Sequence, residues 1–213
     1  MANTKTSYPA SLSVEYPKSL DRVSTLFRLF WAIPILIIAS LLSGSTSTEY
    51  INDAGQQVTS STGGILGGIA IATALMIVFR QKYPRWWFDF ALELTRFSAR
   101  VGAYMLLLTD KYPSTTDEQS VSLDVTYPDV EKDLEPWQPL VKWLLAIPHY
   151  IVLAFLMIGV VFATIIAWFS IVFTGEYPKG LFDYVVGVGR WCLRVNAYAF
   201  LLVTDEYPPF SLD

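Results

Sequence analysis

Two pairs of arginines, Arg96/Arg100 and Arg190/Arg194, carry the sharpest chemical signal in the chain. The members of each pair stand one helical turn apart. Asp89 and Glu93 precede the first pair on the same helix face, and Asp183 precedes the second. A guanidinium can hold a phosphate through two parallel N–H bonds, so these pairs suit a lipid headgroup. They suit equally well internal ion pairs with Asp89, Glu93, Asp183 or the acidic stretch 116–135. His149 and Cys192 are the sole histidine and cysteine. His149 follows Pro148 inside an apolar run, where an ionisable group is either an intramembrane polar site or a neutral histidine hydrogen-bonded among helices. Cys192 has no base near it in sequence and reads as a small apolar residue. There is no nucleophile elbow, phosphate-cradling glycine loop, HExxH or paired metal-ligand motif. No catalytic residue, metal or cofactor is therefore expected. The glycines at 63–64 and 67–68 match the small-residue spacing of close helix packing.

The elements that must position these residues are set by composition. Apolar residues make up 53% of the 213, charged residues 16%, and net charge is −4. Mean hydropathy is +0.41. A soluble domain carries about 25% charged residues. The balance excludes a disordered chain and a nucleic-acid binder with a large basic surface, and points to a membrane protein. The start, Met1–Tyr16, is polar and has no apolar core of a signal peptide.

The chain repeats itself. Leu12–Pro17 resembles Leu123–Pro128, Ala32–Pro34 matches Ala146–Pro148, and Tyr83-Pro84 matches Tyr177-Pro178. Arg96 and Arg100 match Arg190 and Arg194, and Thr109-Asp110 matches Thr204-Asp205, all in one order. The first half holds an additional polar insertion, Ser43–Gly64, between its landmarks.

Each half opens with a short alternating run, Ser11–Tyr16 and Ser120–Tyr127, which predicts a strand. A long apolar stretch follows. In the second half, 143–174 as one helix would be about 48 Å long, against a bilayer core of about 30 Å. A polar insertion is tolerable only at the tip of a hairpin, because backbone inside lipid must be satisfied. The first-half insertion therefore predicts a helical hairpin per repeat, with the second tip near Met157-Ile158-Gly159. Pro34 and Pro148 are expected inside the first helix of each pair, kinking it. The third segment of each half, carrying the arginines, predicts an amphipathic helix lying in the interface.

The fold class expected is thus an all-α membrane protein: a tandem repeat of a transmembrane hairpin plus an interfacial helix, with short β segments at the repeat starts. The first repeat covers 1–113, with its hairpin near 26–79 and its amphipathic helix near 85–108. An acidic linker and the second repeat cover 114–213, with a hairpin near 140–174 and a helix near 180–203. All fifteen Lys and Arg residues fall outside the two tips, and the first tip carries Glu49 and Asp53. That bias predicts cytoplasmic termini and outward tips. Trp86, Trp87, Trp137, Trp143 and Trp191 suit an aromatic belt or packing.

The runs Ile147–Leu153, Ile166–Pro178 and Gly180–Gly187, with the closing Thr204–Leu212, resemble a bacterial family of uncharacterised multi-pass membrane proteins, filed as a domain of unknown function, number four-three-eight-nine. The resemblance implies the bacterial cytoplasmic membrane and supplies no activity. The function expected is a non-enzymatic integral membrane protein, a lipid-contacting scaffold or accessory subunit of a larger complex. The alternative is a small oligomeric transporter or channel. Expected partners are membrane lipids, anionic ones included, and other subunits or further copies of the chain, with no nucleic acid.

Overall fold

The computed structural model describes residues 8–43, 46–51, 57–62, 65–115 and 117–213. The elements in order are β1 (Ala10–Val14), α1 (Arg22–Leu26), α2 (Arg28–Ser43), β2 (Thr46–Ile51), β3 (Gln57–Thr62), α3 (Ile65–Arg80), α4 (Arg85–Met105), β4 (Val121–Val125), α5 (Val130–Asp133), α6 (Gln138–Leu145), α7 (Ile147–Thr174) and α8 (Lys179–Ala199). The described chain is mostly helical.

The two alternating runs pair with each other. β1 and β4 form an antiparallel ladder with Leu12 opposite Leu123 and Val14 opposite Val121. Alternation turns Val121, Leu123 and Val125 inward. α8 packs under β1 and α4 under β4, while α7 lies against α8 and α2 against α4. The result is three layers: a small sheet, the amphipathic pair α4 and α8, and an outer layer of apolar helices.

The second half departs from the expected hairpin over 140–174. No turn occurs at Met157-Ile158-Gly159. Instead α7 runs unbroken for 28 residues, about 42 Å. Nothing in Ile147–Thr174 stops a helix before Gly175, whose φ of +83° makes the left-handed cap and whose N–H reaches the Ile171 carbonyl at 2.8 Å. Pro148 sits in the first turn of α7, where its missing N–H is harmless, rather than in a helix interior. Pro34 does lie within α2. In the first half the polar insertion separates α2 from α3 and builds the antiparallel pair β2–β3, with Thr46 opposite Thr62. Asp53, Gly63, Gly64 and the first residues of the polar N-terminus lie outside the described residues.

Gly159 has a packing role. A Cβ there would stand 2.4 Å from the Tyr184 hydroxyl, which donates to the Leu156 carbonyl at 2.9 Å. Gly159→Ala should force Tyr184 off that bond. In a double-mutant cycle of Gly159→Ala with Tyr184→Phe, we expect a coupling of about 1 kcal/mol in unfolding free energy. Additive effects would mean that α7 and α8 do not approach through this pair.

Candidate functional site

Positions matched between the sequence halves make matching bonds. The Tyr16 hydroxyl donates to the Tyr177 carbonyl at 2.6 Å, and the Tyr127 hydroxyl donates to the Tyr83 carbonyl. Arg190 Nε donates to the Leu12 carbonyl at 3.0 Å, and Arg96 Nε to the Leu123 carbonyl at 2.8 Å. Each of these bonds joins one half to the other.

All four arginines of the sequence-derived site therefore have partners within the chain. Besides its bond to Leu123, Arg96 pairs with Glu93 at 2.6 Å and Asp124 at 2.8 Å. Burial pulls its pKa down, but those two carboxylates outweigh it and leave the pKa raised. Arg100 donates to the Ser114 carbonyl at 2.7 Å. Arg194 is buried and holds the carbonyls of Ser211 and Asp213, tying the C-terminal segment across α8. Burial lowers its pKa, against the raising influence of Tyr8 and Asp213. Asp89 pairs with Arg85, and Asp183 with Lys179. Of the acidic stretch, Asp124 reaches an arginine of the stripe, while Asp129 pairs with Lys132.

Among the described residues, two ion pairs bury their cation, Arg28–Asp110 and Lys142–Asp205, a matched couple that the sequence reading did not single out. Lys142 is fully buried; its Nζ lies 2.6 Å from Asp205 and donates to the Thr204 carbonyl at 2.7 Å. Arg28 contacts Asp110 and donates to the Thr109 carbonyl at 2.7 Å. The second oxygen of each carboxylate accepts a backbone N–H, from Asp21 and from Glu135 respectively. Each aspartate thus pins the start of its half's apolar helices to the segment after the amphipathic helix. The cations also stand over matched rings, Arg28 at 4.4 Å from Tyr104 and Lys142 at 5.2 Å from Tyr198. The signal was present in sequence: a cation at 28 and 142, and Thr-Asp at 109–110 and 204–205, in matched positions.

His149 is fully buried at the α7–α8 contact. Its Nδ1 accepts from Trp191 Nε1 at 3.0 Å, which leaves the proton on Nε2. Phe210 stacks on the ring with centroids 4.0 Å apart, and Tyr207 lies at 4.7 Å. This is an aromatic clasp that holds the C-terminal segment. Its matched residue, Ile35, packs on Val101 and Tyr104. Burial pushes the Cys192 thiol's pKa up, away from thiolate chemistry. Among the described residues no group of three His, Cys, Asp or Glu is placed to hold a metal.

The outer layer presents a broad apolar surface. Phe30 and Trp31 of α2, Phe79 of α3, and Phe155, Phe162 and Phe173 of α7 are each more than 60% exposed. Such a surface exceeds what a soluble monomer tolerates. The segment Gln138–Thr174 is long and apolar enough to cross a membrane, and only 22% of its most apolar window is buried.

No curated protein and no solved structure matches the chain. Residues 137–211, which take in α6, α7, α8 and the C-terminal segment, match the model of a family described as a domain of unknown function (DUF4389).

Proposed function

We propose that the protein is a non-enzymatic membrane scaffold or accessory subunit, held in the plane of the lipid surface by its outer apolar layer. The observation that carries this reading is the course of α7 beside α8. Lys142 meets Tyr198, His149 meets Trp191, and Leu156 meets Tyr184. Lys142 belongs to α6, and His149 and Leu156 to α7, so the α6–α7 segment and α8 run antiparallel over about 20 Å. Were α7 upright, it would carry Asp183, Arg190 and the sheet into hydrocarbon, at roughly 2.5–3.5 kcal/mol per charged group. Lying flat, α7 buries its aromatic face in the acyl region and leaves α4, α8 and the sheet at the water side. In this reading the arginines are struts between the amphipathic helices and the sheet. Lipid contact belongs to the aromatic face, and headgroup contact by the stripe is confined to donors its intrachain bonds leave over. This replaces the four-span topology with one-sided attachment.

The test uses single cysteines at Lys132 and at Glu176, on either side of the α6–α7 segment, in a Cys192→Ser background. Both residues are exposed. A membrane-impermeant maleimide should label both from the same face of sealed vesicles. Labelling from opposite faces would establish that the segment spans.

A further inference from the structure

The sheet does not sit on a solid floor. Between α4 and α8, beneath β1 and β4, lies a cavity of about 340 Å³ roofed by Leu12, Val14, Val121 and Leu123. A second cavity of about 300 Å³ lies toward the outer layer, walled by Gly67 and Ala70 of α3 and by Ala91 and Phe200. Thr95, Ser98 and Asn196 line both. The two spaces thus adjoin at one polar waist formed by these three side chains, one on the sheet side and one on the α3 side. Each falls in the range of small-molecule pockets, about 300–1,000 Å³.

The waist is chemically lopsided. Thr95 and Ser98 spend their hydroxyl hydrogens on the Ala91 and Leu94 carbonyls of their own helix. The Asn196 side chain makes no hydrogen bond among the described residues, although it is only partly exposed. Its matched position in the first half is Gly102, which also lines the inner cavity. A Cβ built at Gly102 meets nothing within 4 Å. The second half thus puts an amide beside the slot where the first half leaves open space.

We propose that this slot binds a single unbranched acyl chain, with its terminal methylenes under the sheet and its carbonyl group at Asn196. Mostly aliphatic side chains lining two adjoining chambers suit a flexible hydrocarbon better than a rigid ring. The free amide supplies a donor that a carboxyl or ester carbonyl accepts. Entry is from the α3 side, which belongs to the apolar layer. The proposal goes beyond membrane attachment and stands without it, since the slot is internal and the attachment surface is the outer face of the helices.

The experiment uses the full chain in detergent, with cis-parinaric acid as a fluorescent fatty acid. A phosphatidylcholine carrying the same polyene chain, presented in mixed micelles, serves as the second arm. Wild type should bind one chain saturably. Gly102→Leu fills the inner chamber without a Cβ clash and improves helix propensity. It should weaken binding on the order of a hundredfold, since about four buried methylenes are displaced. Asn196→Ala should weaken the carbonyl-bearing probe about tenfold and leave binding of a bromoalkane quencher unchanged. Binding of the free acid alone would assign a fatty acid, and binding of both would assign a lipid chain. Absence of saturable binding to wild type overturns the proposal. So does a Gly102→Leu protein that melts higher yet binds the probe as wild type does, because the slot is then a packing void. Neither result bears on the maleimide labelling pattern.

Discussion

Asp205→Ala is expected to lower the unfolding free energy by about 3–5 kcal/mol, because it leaves the Lys142 ammonium buried without its counter-charge. Lys142 is 0% exposed and Asp205 17%, so water reaches one partner a little and the other not at all. The aspartate also accepts the Glu135 N–H at 2.6 Å, and that anchor goes with it. Asp110→Ala, at the matched site, should destabilise less. Asp110 is 30% exposed, and solvent can take over part of its duty toward Arg28. A Lys142→Met/Asp205→Leu protein removes both charges and should recover most of the loss. Chemical denaturation in detergent, followed by tryptophan fluorescence, reads all of these. A double variant as weak as Asp205→Ala would show that the pair matters for geometry rather than for charge compensation.

His149→Ala should cost about 3 kcal/mol and release the segment 207–213 that packs on it. The change strips the ring contacts to Phe210 and Tyr207, worth about 0.5–1.5 kcal/mol each, and orphans the Trp191 N–H, worth about 1–3 kcal/mol. His149→Phe keeps the ring stack and loses only the acceptor, so its cost should be about 1–2 kcal/mol. Both should stay folded, since Ile35 serves at the matched position. Carboxypeptidase digestion distinguishes them: the alanine protein should lose Phe210 and its neighbours quickly, the phenylalanine protein slowly. Equal digestion of the two would mean that the clasp does not hold the C-terminal segment.

The parts legible in sequence were those with a local period. Alternation at Ser11–Tyr16 and Ser120–Tyr127 pointed to β1 and β4, and the four- and three-residue spacing of charges from Asp89 to Arg100 pointed to α4. The long apolar run in the second half misled because it has no period to read. Bilayer thickness and the polar insertion at the matching place in the first half both suggest a break, whereas the second half itself offers no stop before Gly175. Gly159 looked like a turn only until its neighbour, Tyr184, was known. The aromatic clasp was out of reach for another reason: it joins residues 149, 191 and 210, and no spacing rule links three separate segments. The ion pairs were half-visible. Their matched positions stood in the repeat, but a single cation at the edge of an apolar run resembles an ordinary flanking charge.

The ladder between β1 and β4 has a consequence for biogenesis. Its strands are more than a hundred residues apart, and β1 also rests on α8. β1 therefore cannot settle until β4 and α8 have been made, and it waits with an open edge while they are synthesised. During that interval, β1 of one molecule can pair with β4 of a neighbour by the same register that closes the monomer. The Tyr16 and Arg190 bonds would form across the two chains unchanged. Crowded synthesis therefore favours strand-exchanged dimers, and slow, dilute expression favours the closed monomer.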